Sequence, residues 1–306
     1  MGKNLYENFS QAKKVLDEAD EILGYALSKK MFEGPLEELS QTQFTQPALL
    51  TASIMAWEVL KNLYGPSLLE NIVCTAGHSV GEYAALVAAR FLTFPEALRL
   101  VHCRAIEMQK ASPYDAQHQP LGGMCAVLGM ELPKLQNILE EEFRNQPKRC
   151  AIANDNCLGQ VVLTGLLADV DIVREKALVS GAKRGIFLPV SGPFHSPWML
   201  AVADVLTEKM QSLTIKNGKF PVFSNVTAAP VIQGEKVKNL LPQQVTHTVR
   251  WRASMANMAE QGVTLWLELG SGQVLSGLAK RCLGDSTTQA AQTAEDVRGL
   301  ENFLKN

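Results

Sequence analysis

A serine between two glycines, followed at once by a long apolar run, is the feature of this sequence that most directly suggests chemistry. Residues 75–89 read TAGHSVGEYAALVAA, with Ser79 at the centre of a GxSxG pattern. Between a strand and a helix, this pattern forms a nucleophile elbow, a sharp turn that exposes the serine hydroxyl at the edge of a sheet. Because the pattern also fits a small residue in a tight bend, Ser79 is a candidate nucleophile that still needs a base.

The base must come from elsewhere, because a serine hydroxyl is a poor nucleophile at neutral pH. Of the five histidines, His195 in VSGPFHSPWM stands apart. Gly192 and Pro193 precede it and Pro197 follows it, which predicts a rigid turn after a strand that ends at Val190. A histidine that only satisfies hydrogen bonds in a turn is the alternative reading.

Strands and helices alternate around these two residues and must position them. The apolar run at 71–76 predicts a strand buried on both faces, and a helix follows the elbow from 82 to about 90. Apolar periodicity predicts further helices at 8–30, 46–63, 94–111, 197–213 and 274–283, and short apolar runs predict strands at 220–226 and 263–270. The predicted fold class is α/β, with an α/β-hydrolase-like core around a mostly parallel sheet.

The pattern changes after a polar, proline-bounded segment, SPYDAQHQP, at 112–120. Four short strands and two helices are predicted beyond it: strands at 123–129, 150–153, 160–164 and 184–190, and helices at 131–145 and 168–181. The order β-α-β-β-α-β is that of a ferredoxin-like unit. We therefore predict a large domain formed by 1–115 and 191–306, with a ferredoxin-like subdomain inserted at 116–190.

Composition narrows the class of protein. The 306 residues carry 29 Lys and Arg against 31 Asp and Glu, a net charge of −2 that gives no reason to expect nucleic acid or a membrane surface as a partner. The six cysteines form neither a CxxC pair nor a cluster with metal-ligand spacing, which predicts reduced thiols and no bound metal. The first residues resemble neither a signal nor a transit peptide, and no apolar run approaches roughly 18 residues. A cytoplasmic protein is expected.

Five motifs occur in a fixed order along essentially the whole chain: GHSVGEYAALVAA, HCRAIEMQ, NDNCLGQVVLTG, VSGPFHSPWM and ELGSGQVLSGLAKR. Together they resemble the malonyl-CoA:acyl carrier protein transacylases of fatty-acid synthesis. The resemblance implies that Ser79 takes the malonyl group from the coenzyme A thioester and that His195 moves the proton. It also implies that the main-chain carbonyl of Gln244 orients His195, and that the N–H of Val80 contributes to the oxyanion hole.

The resemblance also implies a substrate site. Arg104 matches the arginine that grips the free carboxylate of malonate, and such a contact favours malonyl-CoA over acetyl-CoA by about tenfold to hundredfold. Five further positions match substrate-side residues of the family: Gln46, Asn154, Asn156, Gln160 and Phe194. From the residues alone, Arg104 also fits a surface side chain on an amphipathic helix. The alternatives for the others are a helix cap, an Asn-rich turn and a core phenylalanine.

The expected substrates are malonyl-CoA and the phosphopantetheine thiol of acyl carrier protein, without a bound cofactor, and the protein is expected to be a monomer. Because the carrier is acidic, Lys183, Arg184 or Arg281 could meet it at the mouth of the site, although solvated surface charge is the ordinary role of each.

Members of this family usually carry a strand and a Pro-Gly-Gln-Gly-Ser-Gln loop upstream of a segment like MGKNLYENF, where this sequence begins. The resemblance implies that the loop glutamine supplies a second oxyanion donor, and losing one such donor costs about a hundredfold to a thousandfold in turnover. The sequence as given is therefore expected to acylate slowly or to be unstable, and an upstream segment is expected to rescue it.

Two other functions remain open at this point. A serine esterase or thioesterase would need an acid between Ser79 and His195 at a strand end. The aspartates in that interval fall in the predicted subdomain: Asp155, Asp169 and Asp171. A catalytically impaired homologue that only binds carrier protein is the second alternative.

Overall fold

Helices form the first quarter of the chain in the computed structural model, which describes residues 1–144, 146–284 and 286–304. Four short helices precede a long one: α1 (Lys3–Asn8), α2 (Ser10–Leu23), α3 (Leu27–Glu33), α4 (Leu36–Leu39) and α5 (Thr42–Glu70). The prediction of one helix over 8–30 was wrong. Phe9 is extended and Gly24 is left-handed with a φ of 72°, so α2 ends there and α3 begins separately.

The elbow region follows, with β1 (Thr75–Ala76), α6 (Gly81–Ala88) and α7 (Phe94–Ala111). The strand is shorter than the predicted 71–76, and α5 extends beyond the predicted 46–63 to Glu70 across an interruption at Gly65. The prediction for α7 is confirmed to the residue. Its first turn is closed by a capping box in which Thr93 and Glu96 each accept a hydrogen bond from the other's backbone N–H.

The middle of the chain is ferredoxin-like, as predicted. Its elements are β2 (Gly122–Leu128), α8 (Leu132–Phe143), β3 (Cys150–Cys157), β4 (Gln160–Leu166), α9 (Leu167–Val179) and β5 (Arg184–Phe187). The four strands form one antiparallel sheet in the order β3-β4-β2-β5, whose apolar side packs against α8 and α9. The last residue of the predicted helix 131–145 lies outside the described residues.

The last third alternates short strands with helices. After a 3-10 turn at Pro197–Met199 come α10 (Leu200–Gln211), β6 (Val222–Phe223), β7 (Pro230–Val231), α11 (Gly234–Gln243), α12 (Trp251–Glu260), β8 (Leu265–Leu269), α13 (Val274–Leu283), β9 (Thr287–Ala291) and α14 (Ala294–Arg298). A second 3-10 turn, Gln244–Thr246, follows α11. The α/β class is confirmed.

Strand pairing returns the chain to the elbow. β1 pairs in parallel with β6, β6 pairs antiparallel with β7, and β8 and β9 form a separate parallel pair. A parallel bridge joins Asn154 of β3 to Val249, so the ferredoxin-like sheet is tied to the segment that precedes α12. This tie lies beside the candidate site.

The domain boundaries at 116 and 190 stay a prediction, and residues 305–306 of the large domain lie outside the described residues. Across the helices that the structure describes, none combines the length and apolar character needed to cross a bilayer.

Candidate active site

Ser79 stands at the turn between β1 and α6, in a left-handed backbone conformation with a φ of 51°. This conformation is strained for a non-glycine residue and is typical of a functional turn. The turn needs glycine at 77, because a Cβ there would lie 2.0 Å from the carbonyl of Gly81. Asn225 holds both sides of the turn: its Oδ1 accepts from the Ser79 N–H at 2.7 Å, and its Nδ2 donates to the Gly77 carbonyl at 2.8 Å.

His195 faces the serine. Its Nε2 lies 2.8 Å from the Oγ of Ser79, and its Nδ1 lies 2.8 Å from the main-chain oxygen of Gln244. A carbonyl only accepts, so Nδ1 must carry the hydrogen, which leaves Nε2 as the acceptor for the serine proton. The predicted base and the predicted orienting carbonyl therefore meet at Ser79.

The turn that carries His195 is held by a contact from the ferredoxin-like unit. His195 itself has a φ of 57°, and Thr164 of β4 donates to the main-chain oxygen of Phe194 at 2.7 Å. Burial is the main cause that lowers the pKa of His195 to about 3, and the positive charge of Arg104 contributes in the same direction. The imidazole is thus neutral near pH 7 and ready to accept a proton.

Arg104 reaches the same point from α7 and is only 1% exposed, which rules out the surface-arginine alternative. Its Nη1 donates to the Oε1 of Gln46, and its Nη2 donates to Ser79 Oγ at 3.0 Å and to Gln244 Oε1 at 3.2 Å. Its Nε has no hydrogen-bond partner, and no carboxylate lies within ion-pair distance of the guanidinium, within the described ranges. Burial lowers the pKa of Arg104, and a small anion entering the site would find a cation that no carboxylate contacts directly among the described residues.

A cavity of about 170 Å³ opens in front of these groups. Seven of the ten sequence-predicted site residues line it, together with His78, Met108 and Met124: Gln46, Ser79, Val80, Arg104, Asn154, Phe194 and His195. Val80 is also the residue from which α6 starts, so its N–H belongs to the positive end of a helix. A carbonyl bound at Ser79 would therefore lie beside the Val80 N–H.

Three predicted residues lie outside the cavity lining. Gln244 contacts His195 through its main-chain oxygen and Arg104 through its Oε1, without lining the cavity itself. Asn156 bonds through its Oδ1 to His78 Nε2 at 2.8 Å, and the His78 ring packs edge-on against Trp251. Gln160 accepts from Arg281 at 2.7 Å, away from the reacting atoms. The structure therefore does not bring Gln160 together with the other predicted residues.

Sequence reasoning missed a buried carboxylate directly behind the nucleophile. Glu82, in the first turn of α6, accepts at its Oε2 from Gln244 Nε2 at 2.6 Å and from the Asn225 N–H at 3.2 Å. Burial raises the pKa of Glu82 to about 7, against the opposing effect of these two hydrogen bonds and of Arg104. The available signal was a single acid in an otherwise apolar helix, GEYAALVA, which reads by default as an N-terminal helix charge.

The three aspartates that a serine hydrolase could use as its acid do not contact His195. Each forms an ion pair with an arginine: Asp155 with Arg252, Asp169 with Arg149, and Asp171 with Arg174. The Nδ1 of His195 is occupied by a carbonyl instead of a carboxylate. Within the described part of the chain, no group of His, Cys, Asp and Glu side chains is placed to hold a metal ion.

Comparisons with known proteins agree with this geometry. The family model described as the acyl transferase domain matches residues 1–302. The malonyl CoA-acyl carrier protein transacylase of Bacillus subtilis (strain 168) is 41% identical over 305 residues, which cover 100% of this chain and 93% of the relative.

Solved structures extend the similarity to three dimensions. An acyl-carrier-protein-S-malonyltransferase from Bartonella henselae matches with a TM-score of 0.93 at 36% identity, covering 100% of this chain and 95% of that chain. A type II PKS acyl-carrier protein in complex with its malonyl-transacylase matches with a TM-score of 0.91 at 34% identity, covering 99% and 94%.

Proposed function

Because the chain belongs to the acyl transferase family and is similar over its whole length to malonyl CoA-acyl carrier protein transacylases, we propose that it moves malonyl from coenzyme A to acyl carrier protein. The acceptor is the phosphopantetheine thiol of the carrier. One observation carries the proposal: Ser79 Oγ lies 2.8 Å from a neutral histidine and 3.0 Å from a buried arginine. A nucleophile, its base and a carboxylate-binding cation thus converge on one atom.

In the first half-reaction, Ser79 attacks the thioester carbonyl of malonyl-CoA while its proton passes to Nε2 of His195. The oxyanion that forms lies at the start of α6, where the Val80 N–H and the helix dipole stabilise negative charge. The intermediate then collapses, the carbon–sulfur bond breaks, and the departing thiolate takes the proton back from His195. The products are malonyl-Ser79 and coenzyme A.

The second half-reaction reverses these roles. The carrier thiol gives its proton to His195 and attacks the malonyl-serine carbonyl, and Ser79 leaves with that proton. Each bond and proton is accounted for by Ser79, His195 and the two thiols, so the proposal requires no cofactor beyond the two thioester partners. The kinetics are ping-pong, because coenzyme A must leave before the carrier thiol can enter.

Arg104 gives the site its preference for malonyl. Its Nη2 donates to the serine oxygen in the absence of substrate, and the free malonate carboxylate offers both nitrogens a charged acceptor instead. Gln46, which accepts from Nη1, keeps the guanidinium plane in place. The Phe194 side chain borders the same cavity and limits the space beside the α-carbon of the acyl group.

We also propose a reducing, cytoplasmic location. The six cysteines are all unpaired, and burial raises the pKa of the Cys150 thiol and of Cys125, so these are unreactive reduced thiols.

The test of the proposed function is intact-mass measurement after mixing the protein with malonyl-CoA and then with phosphopantetheinylated carrier. A malonyl adduct should form, should be absent in Ser79→Ala, and should move to the carrier. Discharge to water at the same rate without carrier would identify a thioesterase. If wild type forms no adduct at all, the proposal fails and a carrier-binding role remains.

A further inference from the structure

The amide of Gln244 occupies the centre of the buried polar network behind the nucleophile. Its Nε2 donates to the main-chain oxygen of Ser79 at 3.0 Å and to Glu82 Oε2 at 2.6 Å, and its Oε1 accepts from Arg104 Nη2 at 3.2 Å. Its own main-chain oxygen accepts from His195 at 2.8 Å. One residue therefore touches the backbone of the nucleophile, the base and the carboxylate-binding cation.

Only one orientation of this amide satisfies all three side-chain contacts. The Ser79 carbonyl and an ionised Glu82 can only accept, so they must face the NH₂ group, while a guanidinium can only donate and must face the oxygen. Turned over, the amide would direct its NH₂ at Arg104 and its oxygen at Glu82, which replaces attraction by repulsion at both ends. The orientation of Gln244 thus depends on what Glu82 presents.

The Glu82 carboxylate is buried and is held in place by hydrogen bonds. It is 4% exposed, its Oε2 also accepts from the Asn225 N–H, and Asn225 in turn holds the Ser79 N–H. The charged group that acts on Glu82 is Arg104 of α7, and the adjacent Tyr83 is the nearest titratable group on α6. The remaining neighbours around a small cavity beside the carboxylate are mostly apolar: Leu86, Val222, Val231, Val237, Leu240 and Leu241.

We propose that the ionised carboxylate of Glu82 is a positioning element of the acyl-transfer site: it fixes the Gln244 amide, and through that amide it holds Arg104 in the pose that selects a carboxylate-bearing acyl group. The proposal rests on the proposed function. Glu82 is also the anion nearest in the network to the buried guanidinium, one amide away, so its charge supports Arg104 without blocking the face that the malonate carboxylate must reach. Glu82 itself touches no substrate.

The test compares Glu82→Gln with wild type by the ratio of kcat/KM for Ser79 acylation with malonyl-CoA and with acetyl-CoA. Glutamine keeps the size of the side chain and one acceptor oxygen but removes the charge. Where its NH₂ group faces the Gln244 NH₂ group, two donors meet and the hydrogen bond is lost. We expect the malonyl:acetyl ratio to fall at least tenfold, because the charge-assisted hydrogen bond from Gln244 to Glu82 is lost and the amide that holds Arg104 is no longer fixed. The wild-type ratio should also rise from pH 6 to pH 8 as Glu82 ionises, and the variant ratio should stay flat.

Asp169→Asn is the matched control, because Asp169 is likewise a buried acid in the first turn of a helix, 6% exposed, but it pairs with Arg149 in the ferredoxin-like unit. It should lower the melting temperature and leave the malonyl:acetyl ratio unchanged. A similar fall of the ratio in Asp169→Asn would show that selectivity follows stability, and would overturn the proposal.

Gln244→Met provides an independent route if Glu82→Gln does not fold, since it removes the amide and keeps the main-chain carbonyl. This variant should lose the same selectivity, and adding Glu82→Gln to it should change the ratio by less than twofold, because both act through one contact. A ratio within twofold of wild type in either single variant, or a pH dependence that persists in Glu82→Gln, overturns the proposal. Failure of wild type to form a malonyl adduct would instead refute the proposed function.

Discussion

Acid should act on two buried groups of the site in opposite directions, and single substitutions should separate the two effects. His195 has its pKa lowered to about 3 by burial, whereas Glu82 has its pKa raised to about 7 by burial. The ordinary values are 6.5 and 4.5. Each difference between folded and unfolded pKa contributes a dependence of folding stability on pH.

The signs follow from which state holds the proton more tightly. The unfolded chain binds a proton at His195 more tightly than the folded protein does. The contribution of the neutral His195 to folding stability is therefore complete above pH 6.5 and is lost as the pH falls towards 3. The folded protein binds a proton at Glu82 more tightly, so the burial cost of Glu82 is complete above pH 7 and disappears as the pH falls towards 4.5. When the pH falls from 7.5 to 5, protonation linked to His195 lowers the free energy of unfolding by about 2 kcal/mol, and protonation of Glu82 raises it by about 2 kcal/mol.

The measurement is the free energy of unfolding at pH 7.5 and pH 5 for wild type, His195→Gln and Glu82→Gln. The change on acidification is compared between proteins, so that groups common to all three, such as His78 and Arg104, cancel. Relative to wild type, acidification should raise the free energy of unfolding of His195→Gln by about 2 kcal/mol and lower that of Glu82→Gln by about 2 kcal/mol. In a chain of this length that is a shift of about 3 °C in Tm in each direction.

The reasoning is refuted if both variants shift in the same direction, or if neither departs from wild type by more than 1 °C. It is also refuted if the wild-type change greatly exceeds the change in both variants, because the two contributions would then not oppose each other.

Three further outcomes are expected. Gly77→Ala should abolish acylation and lower Tm, because its Cβ would overlap the next turn, whereas Gly81→Ala, whose Cβ meets nothing within 4 Å, should keep near-wild-type Tm in the same thermal scan. Arg104→Met should lower the malonyl:acetyl ratio by about tenfold to hundredfold in an adduct assay, and an unchanged ratio would exclude the carboxylate contact. Tyr83→Phe should leave Tm unchanged or raise it, since it removes a buried hydroxyl that has no partner among the described residues, and a clear fall would mean that the hydroxyl is bonded.

The proposed reacting groups could be placed from sequence because each sits in a motif with its own local geometry. GHSVG determines the elbow at Ser79, and the rigid GPFHSP turn determines where His195 projects. Arg104 needed the resemblance, because helical spacing alone places it equally well on the surface. Its actual burial depends on Gln46 and Gln244, which lie 58 and 140 residues away in the chain.

The polar support behind the nucleophile could not be predicted in the same way. Glu82 meets partners 143 and 162 residues away, and no periodic pattern encodes such contacts. A buried acid on an apolar helix is visible in the sequence, but its partners are not. The substrate contact suggested for Gln160 by its position in a motif stays a prediction, since the structure shows its side chain accepting from Arg281 and does not place it in the cavity lining.

Secondary structure was predictable where periodicity and caps agreed. The Thr93 capping box and the apolar stripe placed α7 to the residue, and the alternation of strands and helices gave the ferredoxin-like order. The strand before the elbow was overestimated, because β1 and β6 contribute only two residues each to their pair, and the expectation of a strand buried on both faces was wrong, since Val73 in the same apolar run is 48% exposed. The sequence predicted one N-terminal helix instead of two, because the apolar stripe continues on both sides of Gly24 and hides the break that this glycine makes.

The carbonyl behind His195 has a consequence for the kind of bond that the site can break. A main-chain oxygen orients the imidazole but brings no negative charge to share with the imidazolium, so the protonated base is short-lived and only modestly favoured. That suffices when the group expelled is a thiolate, whose conjugate acid has a pKa of about 8.5 and which leaves with little help. It does not suffice for an amine. The exchange of one thioester for another has a thiol on each side, so the same uncharged pair of His195 and the Gln244 carbonyl can serve the reaction in both directions.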